Sequence, residues 1–148
     1  MNREIKFRGK MIPENEWIFG TILRIPAPPV CFGKSETDKY YIQFPDPRYM
    51  PDWNMPYKMV QGEINPETIG QYIGLHDKNG KEIWENDIVE ITRECIYDKG
   101  IIVFKNGCFF IKSKENLLAL YNCELNNYKV KVIGNIYDNP ELLGGEER

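Results

Sequence analysis

The stretch Gln71–Gly80, QYIGLHDKNG, runs directly into Lys81–Ile91, KEIWENDIVEI, and holds the chain's single histidine. It either carries chemistry or reverses the chain, and the residues favour reversal. Asn79-Gly80 stands between Lys78 and Lys81, and Asn-Gly accepts positive φ at both centres of a two-residue hairpin loop. A second Asn-Gly, Asn106-Gly107, lies between Phe104-Lys105 and Cys108-Phe109 and predicts another hairpin. Around these turns Asp87–Thr92, Ile101–Lys105, Cys108–Lys112 and Lys129–Tyr137 read as consecutive strands. Short strands at this spacing predict a small antiparallel barrel of SH3-like order. Only short helical turns are expected, at Glu115–Leu120 and within PETIGQY, residues 66–72.

Towards the N-terminus, EIKFR (Glu4–Arg8) alternates apolar with charged residues, and WIFGTILRI (Trp17–Ile25) is rich in aromatic and β-branched types, so both read as strands. Residues 26–60 hold most of the chain's ten prolines, which central strands and helix interiors exclude, and predict a long loop. The expected organisation is mainly β: an N-terminal β extension over residues 1–70 carrying the 26–60 loop, then the SH3-like barrel over residues 71–148. Trp17, Trp84, Phe104, Phe109, Ile133 and Ile136 are expected in the core or half-core, as large residues in strands usually are.

With 148 residues, 42% of them hydrophobic and 28% charged, the composition is globular and needs no metal or disulfide to fold. A formal net charge of −3 supplies no bulk positive field, so a nucleic-acid site has to be a local patch. The opening MNREIKFRGKMIPENEW has no apolar core of a signal peptide, and no run is long enough to span a membrane, so a cytoplasmic location is expected. Cys31, Cys95, Cys108 and Cys123 have no CxxC spacing. They predict free, partly buried thiols, with no zinc site and no cofactor.

Three constellations invite a chemical reading. His76-Asp77 has the types of a general base and its orienter, but adjacent strand residues face opposite sides and no nucleophile motif lies nearby. Glu82, Glu85, Asp87 and Glu90 have the types of a metal or acid–base site, yet charge runs of this kind are usually solvated faces, and Asn86-Asp87 reads as a turn. Gly70 and Gly74 read as a strand glycine and a turn glycine, without the helix a phosphate loop requires. The third constellation is aromatic and cationic: Tyr40, Tyr41, Phe44, Arg48, Tyr49, Trp53 and Tyr57, with Lys39 and Lys58. Such residues suit a protein interface, stacked single-stranded bases, or plain packing. Asp38, Asp46 and Asp52 dilute the positive charge, and the interface reading leads.

MNREIKFRGK, WIFGTI, PETIGQYIGLHDKNGKEIWENDIV and VIGNIYDNPELL resemble the YopX family of phage and prophage proteins, over residues 1–23, 60–104 and 130–143. The stretches 24–60 and 105–129 look particular to this chain. The resemblance implies a phage-derived, cytoplasmic, mainly β, oligomeric protein, and it brings no catalytic residue to carry over. Trp84 and Asn86 stand where relatives show tyrosine and glycine, and asparagine also tolerates positive φ, so the turn before Asp87 is expected to persist. The resulting expectation is a non-enzymatic accessory protein that works through protein assembly as a homo-oligomer. A nucleic-acid-binding factor and an enzyme with a cryptic His or carboxylate site are the alternatives.

Overall fold

Stretches of β-branched and aromatic residues cut by proline and glycine dictate strands, and the computed structural model, which describes residues 3–33, 36–114 and 116–144, has eleven among those residues. They gather into two units, Ile5–Gln71 and the part from Tyr72 onward, which Arg3 and Glu4 join. The mainly β expectation holds.

In the first unit β1 (Phe7–Lys10), β2 (Trp17–Ile25), β3 (Lys39–Pro45) and β4 (Met59–Ile64) form an antiparallel ladder in the order β4-β3-β2-β1. Ile42 of β3 stands opposite Ile22 and Gly62, and it is fully buried along with Ile64. A Cβ on Gly9 would come within 2.7 Å of the Ile64 side chain, so β1 must be bare there for Ile64 to seat. After β4, Asn65 caps a single 3-10 turn, Pro66–Thr68, by accepting the Glu67 N–H. The Thr68 hydroxyl accepts the Lys10 N–H at 2.8 Å and donates to the Asn65 carbonyl. The helix-compatible PETIGQY segment is therefore one turn that ties the chain back to β1, and the strand begins at Gly70.

The 26–60 segment departs from expectation. Its central residues form β3, paired with β2 along Lys39–Gln43 and with β4 along Tyr40–Pro45. Pro45 sits at the last position of β3, where strands tolerate proline. The loop proper is thus divided by β3 into residues 26–38 and residues 46–58.

The second unit contains most of β5 (Gly70–His76), then β6 (Glu82–Trp84), β7 (Asp87–Arg93), β8 (Ile96–Lys105), β9 (Cys108–Lys112), β10 (Leu117–Ala119), α1 (Leu120–Leu125) and β11 (Lys129–Asn135). Five strands make an antiparallel sheet in the order β10-β9-β8-β7-β11. Pairing does not close it into a barrel among the described residues, so the SH3-like closure is not seen. Alternate residues Val89 and Ile91 of β7, Ile102 of β8, Ile111 of β9 and Val132 of β11 form one apolar face. Burying each such side chain contributes roughly 1.5–3 kcal/mol. Ile73 and Ile83 from the β5–β6 pair, and Leu120 and Cys123 from successive turns of α1, complete the cluster.

Local expectations differ in their outcome. Asn106 and Gly107 both have positive φ, 51° and 80°, and Lys105 pairs with Cys108, which is the two-residue hairpin expected. At the other Asn-Gly only Gly80 has positive φ. There the turn runs Asp77 to Gly80, with the Gly80 N–H on the Asp77 carbonyl. Gly74 is not in a turn: it has φ 87° inside β5, where the register with β6 shifts. The short helix expected at Glu115–Leu120 is instead β10 followed by α1, Glu115 itself lying outside the described residues. Trp84 is buried, and Trp17, Phe109, Ile133 and Ile136 are half-buried, as expected. Phe104 is 53% exposed, a correction, because it lies one residue from the β8–β9 hairpin tip.

Candidate functional site

The HDKNG turn is built around one carboxylate. Asp77 is 7% exposed. Its Oδ1 accepts the N–H groups of Asn79 and Lys81, at 2.8 and 2.9 Å, while Oδ2 accepts the Val132 N–H of β11 at 2.9 Å. Burial alone pushes the Asp77 pKa up, but the N–H donors of Val132, Lys81 and Asn79 outweigh it and hold the carboxyl below its ordinary value. Both oxygens are thus engaged by the backbone. His76 is exposed, and its Nδ1 lies 3.4 Å from the Tyr72 hydroxyl. The structure therefore does not bring His76 and Asp77 together as a dyad.

The acidic run is also dispersed. Asp87 is buried and accepts the Trp84 N–H at 2.9 Å, closing the turn in which Asn86 has φ 68°. The positive φ expected at Asn86 is present. Its N–H donates to the Ile102 carbonyl, and its own carbonyl accepts the Ile136 N–H. Glu90 accepts the Tyr97 hydroxyl at 2.8 Å on the far side of the sheet. Among the described residues, no group of three or more His, Cys, Asp or Glu side chains is placed to hold a metal ion. All four cysteines are free thiols; Cys31, Cys95 and Cys108 are exposed, against the expectation of partial burial, and Cys123 is buried. Burial pushes the Cys123 thiol up to about 11.

The aromatic set is split by its strand. Tyr40, Tyr41 and Phe44 lie on β3 and are half-buried, with Tyr40 and Phe44 on the face of Ile42 and Tyr41 on the other, its hydroxyl 3.5 Å from Glu63 Oε2. Tyr49 is half-buried and donates its hydroxyl to the Met55 carbonyl. Arg48 is exposed, its Nε 3.6 Å from Asp46 Oδ1. The residues that remain for contact are Trp53, 103% exposed, Tyr57 and Arg48. The structure adds Met50, Met55 and Met59, all exposed. Sequence reading missed these, although PRYMPDWNMPYKM places a methionine every few residues, and methionine is enriched at adaptable interfaces.

The segment 46–58 is ordered by its own polar groups. Asp46 donates its N–H to the Lys58 carbonyl and accepts the Arg48 N–H. Asp52 Oδ1 accepts the N–H groups of Asn54 and Met55, both at 2.8 Å. The acids that dilute positive charge in the sequence thus serve as turn acceptors.

The second unit presents a further feature that the residues did not announce. A groove of 520 Å³ is lined by Tyr97, Lys99, Ile101, Lys112, Lys114 and Leu143 among others. A second groove of 380 Å³ shares Lys112, Ser113, Lys114 and Asn116 with it and adds Lys105 and Leu117. Register explains the gathering: Lys112 is opposite Ile101 and Leu117, and Glu90 is opposite both Lys99 and Lys131. Lys129 shares that face, opposite Thr92, which separates it from Tyr97 on the other side of β7. The available signal was charge: residues 96–132 hold six lysines against three acids in a chain of net charge −3.

No described helix is long and apolar enough to cross a membrane. The solved structure of protein EF1440 from Enterococcus faecalis is similar to this chain, with a TM-score of 0.51 and 24% sequence identity over 96% of this chain and 99% of that one. At this identity the likeness establishes a shared fold. No curated protein matches significantly. The family described as YopX protein matches residues 6–144, running through both stretches outside the motif resemblance, and the chain therefore belongs to the YopX family.

Proposed function

We propose that this chain is a non-enzymatic accessory protein of phage or prophage origin that works by protein association, joining a second copy of itself through the loop 46–58. The observation that carries the reading is Trp53, fully exposed between exposed Met50 and Met55 on a loop held by its own hydrogen bonds. Tryptophan is the residue type most concentrated at interface hot spots, and leaving it wet forfeits its burial energy. Closed symmetric association covers identical patches on both copies at once. The engagement of Asp77 by three backbone amides supports the non-catalytic part of the proposal.

Sedimentation velocity across the micromolar range tests it, together with acrylamide quenching of tryptophan fluorescence. A mass above the monomer, lost in Trp53→Ala, is the expected result. A monomer at every concentration, with Trp53 freely quenched, overturns the proposal.

A further inference from the structure

We infer that the lysine-bearing face of β8 and β9 is a binding site for single-stranded nucleic acid. Lys99, Lys105, Lys112 and Lys114 line the two connected grooves, with Asp98 as the one carboxylate among the described lining residues. Among the described residues, none of these four ammonium groups is engaged in an ion pair. They stand in an acidic chain, so their gathering is local.

The shape of the charge selects the ligand. Lys99 and Lys105 lie six residues apart on one face of β8, about 20 Å at the strand rise of roughly 3.3 Å per residue. That is longer than a free phosphate or a single nucleotide, and it fits several phosphates in a row. Lysines present point charges without the planar fork that reads a particular group, which suits a sequence-independent backbone contact. The walls are apolar and aromatic: Tyr97 is 54% exposed, and Ile101, Leu117, Leu142 and Leu143 also line the grooves. An unstacked strand has bases to lay on such surfaces. A duplex hides its bases, and an acidic peptide has no planar faces, so each would leave these walls wet.

Fluorescence anisotropy with a labelled oligothymidylate of about 15 nucleotides, within the usual range of single-strand sites, tests the inference. With three to four phosphates contacted, log K against log salt is expected to fall with a slope of about −2 to −3. Lys112→Glu with Lys114→Glu is expected to weaken binding at least about tenfold and to make the slope shallower by about 1.4. Both side chains are exposed, and Lys112→Gln with Lys114→Gln serves as a milder second variant, expected to weaken binding in the same direction. Trp53→Ala, which removes the proposed association contact, is expected to leave the affinity unchanged. Four results would each overturn the inference: no binding at low salt, full affinity in both lysine variants, loss of binding in Trp53→Ala, or equal competition by duplex DNA or polyglutamate of matched charge.

Discussion

Replacing Asp77 with alanine is expected to destabilise the second unit by about 3–5 kcal/mol. The Val132 N–H lies in the buried part of β11 and would lose its acceptor, at about 1–3 kcal/mol for an unsatisfied buried donor. The N–H groups of Asn79 and Lys81 belong to exposed residues, so water replaces the carboxylate there and each loss is about 1 kcal/mol. Asp77→Asn keeps an acceptor for the turn but sets an amide N–H against that of Val132, and is expected to cost about 2 kcal/mol. Urea unfolding followed by circular dichroism measures both, and hydrogen exchange at the Val132 amide reports the lost bond directly. The sign with pH follows from the lowered pKa. The stabilisation by ionised Asp77 is complete above the unfolded aspartate value of about 4 and is lost as pH falls through the lower folded value. The gap between parent and Asp77→Ala should therefore narrow in strong acid. An alanine variant within about 1 kcal/mol of the parent at neutral pH, or unchanged exchange at Val132, would refute the reasoning.

Gly107→Val is expected to cost about 1–3 kcal/mol, because φ of 80° strains a β-branched residue, and an unchanged melting temperature would count against the hairpin geometry. His76→Ala should leave stability within about 0.5 kcal/mol of the parent, as for most exposed positions; loss of self-association or of oligonucleotide binding in that variant would show a role the geometry does not assign. Cys123, buried and with its thiol pushed up to about 11, should resist iodoacetamide at mildly alkaline pH while Cys31, Cys95 and Cys108 react. Mass spectrometry of native and urea-unfolded protein counts the modified thiols, and rapid native alkylation of Cys123 would contradict its placement.

The parts legible in the sequence were those with short-range causes. Asn106-Gly107 encodes its own backbone, and Trp17–Ile25 carries enough β-branched and aromatic residues to specify a strand. Misreadings arose where one residue type has two meanings. Proline argued against sheet in residues 26–60, yet Pro45 only ends β3, and Tyr40-Tyr41-Ile42 marked a strand with a buried centre. The strand expected from Ile101 begins at Ile96 instead, and Gly100 lies within it, where a Cβ would come within 2.5 Å of Ile111. The run Leu117–Leu120 has no periodicity to separate strand from helix, and the chain changes from one to the other between Ala119 and Leu120. The lysine face stayed hidden for a different reason. Its members come from separate strands, and only register, a long-range property, sets Lys112 beside Ile101 and Lys99 beside Glu90.

The bond from Val132 to Asp77 joins residues 55 positions apart, and this separation sets an order of folding. The β7–β8 and β8–β9 hairpins close locally and rapidly, whereas pairing β11 with β7 must first enclose everything between them. Loop-closure entropy makes that step late. On the ribosome, β7 emerges well before β11 and waits with one edge unpaired, and the Asp77 carboxylate waits with one of its amides missing. An exposed edge beside Val89 and Ile91 is the kind of surface that invites intermolecular pairing. Aggregation during synthesis should therefore be most sensitive to changes in β11, the strand whose arrival completes both the sheet and the turn.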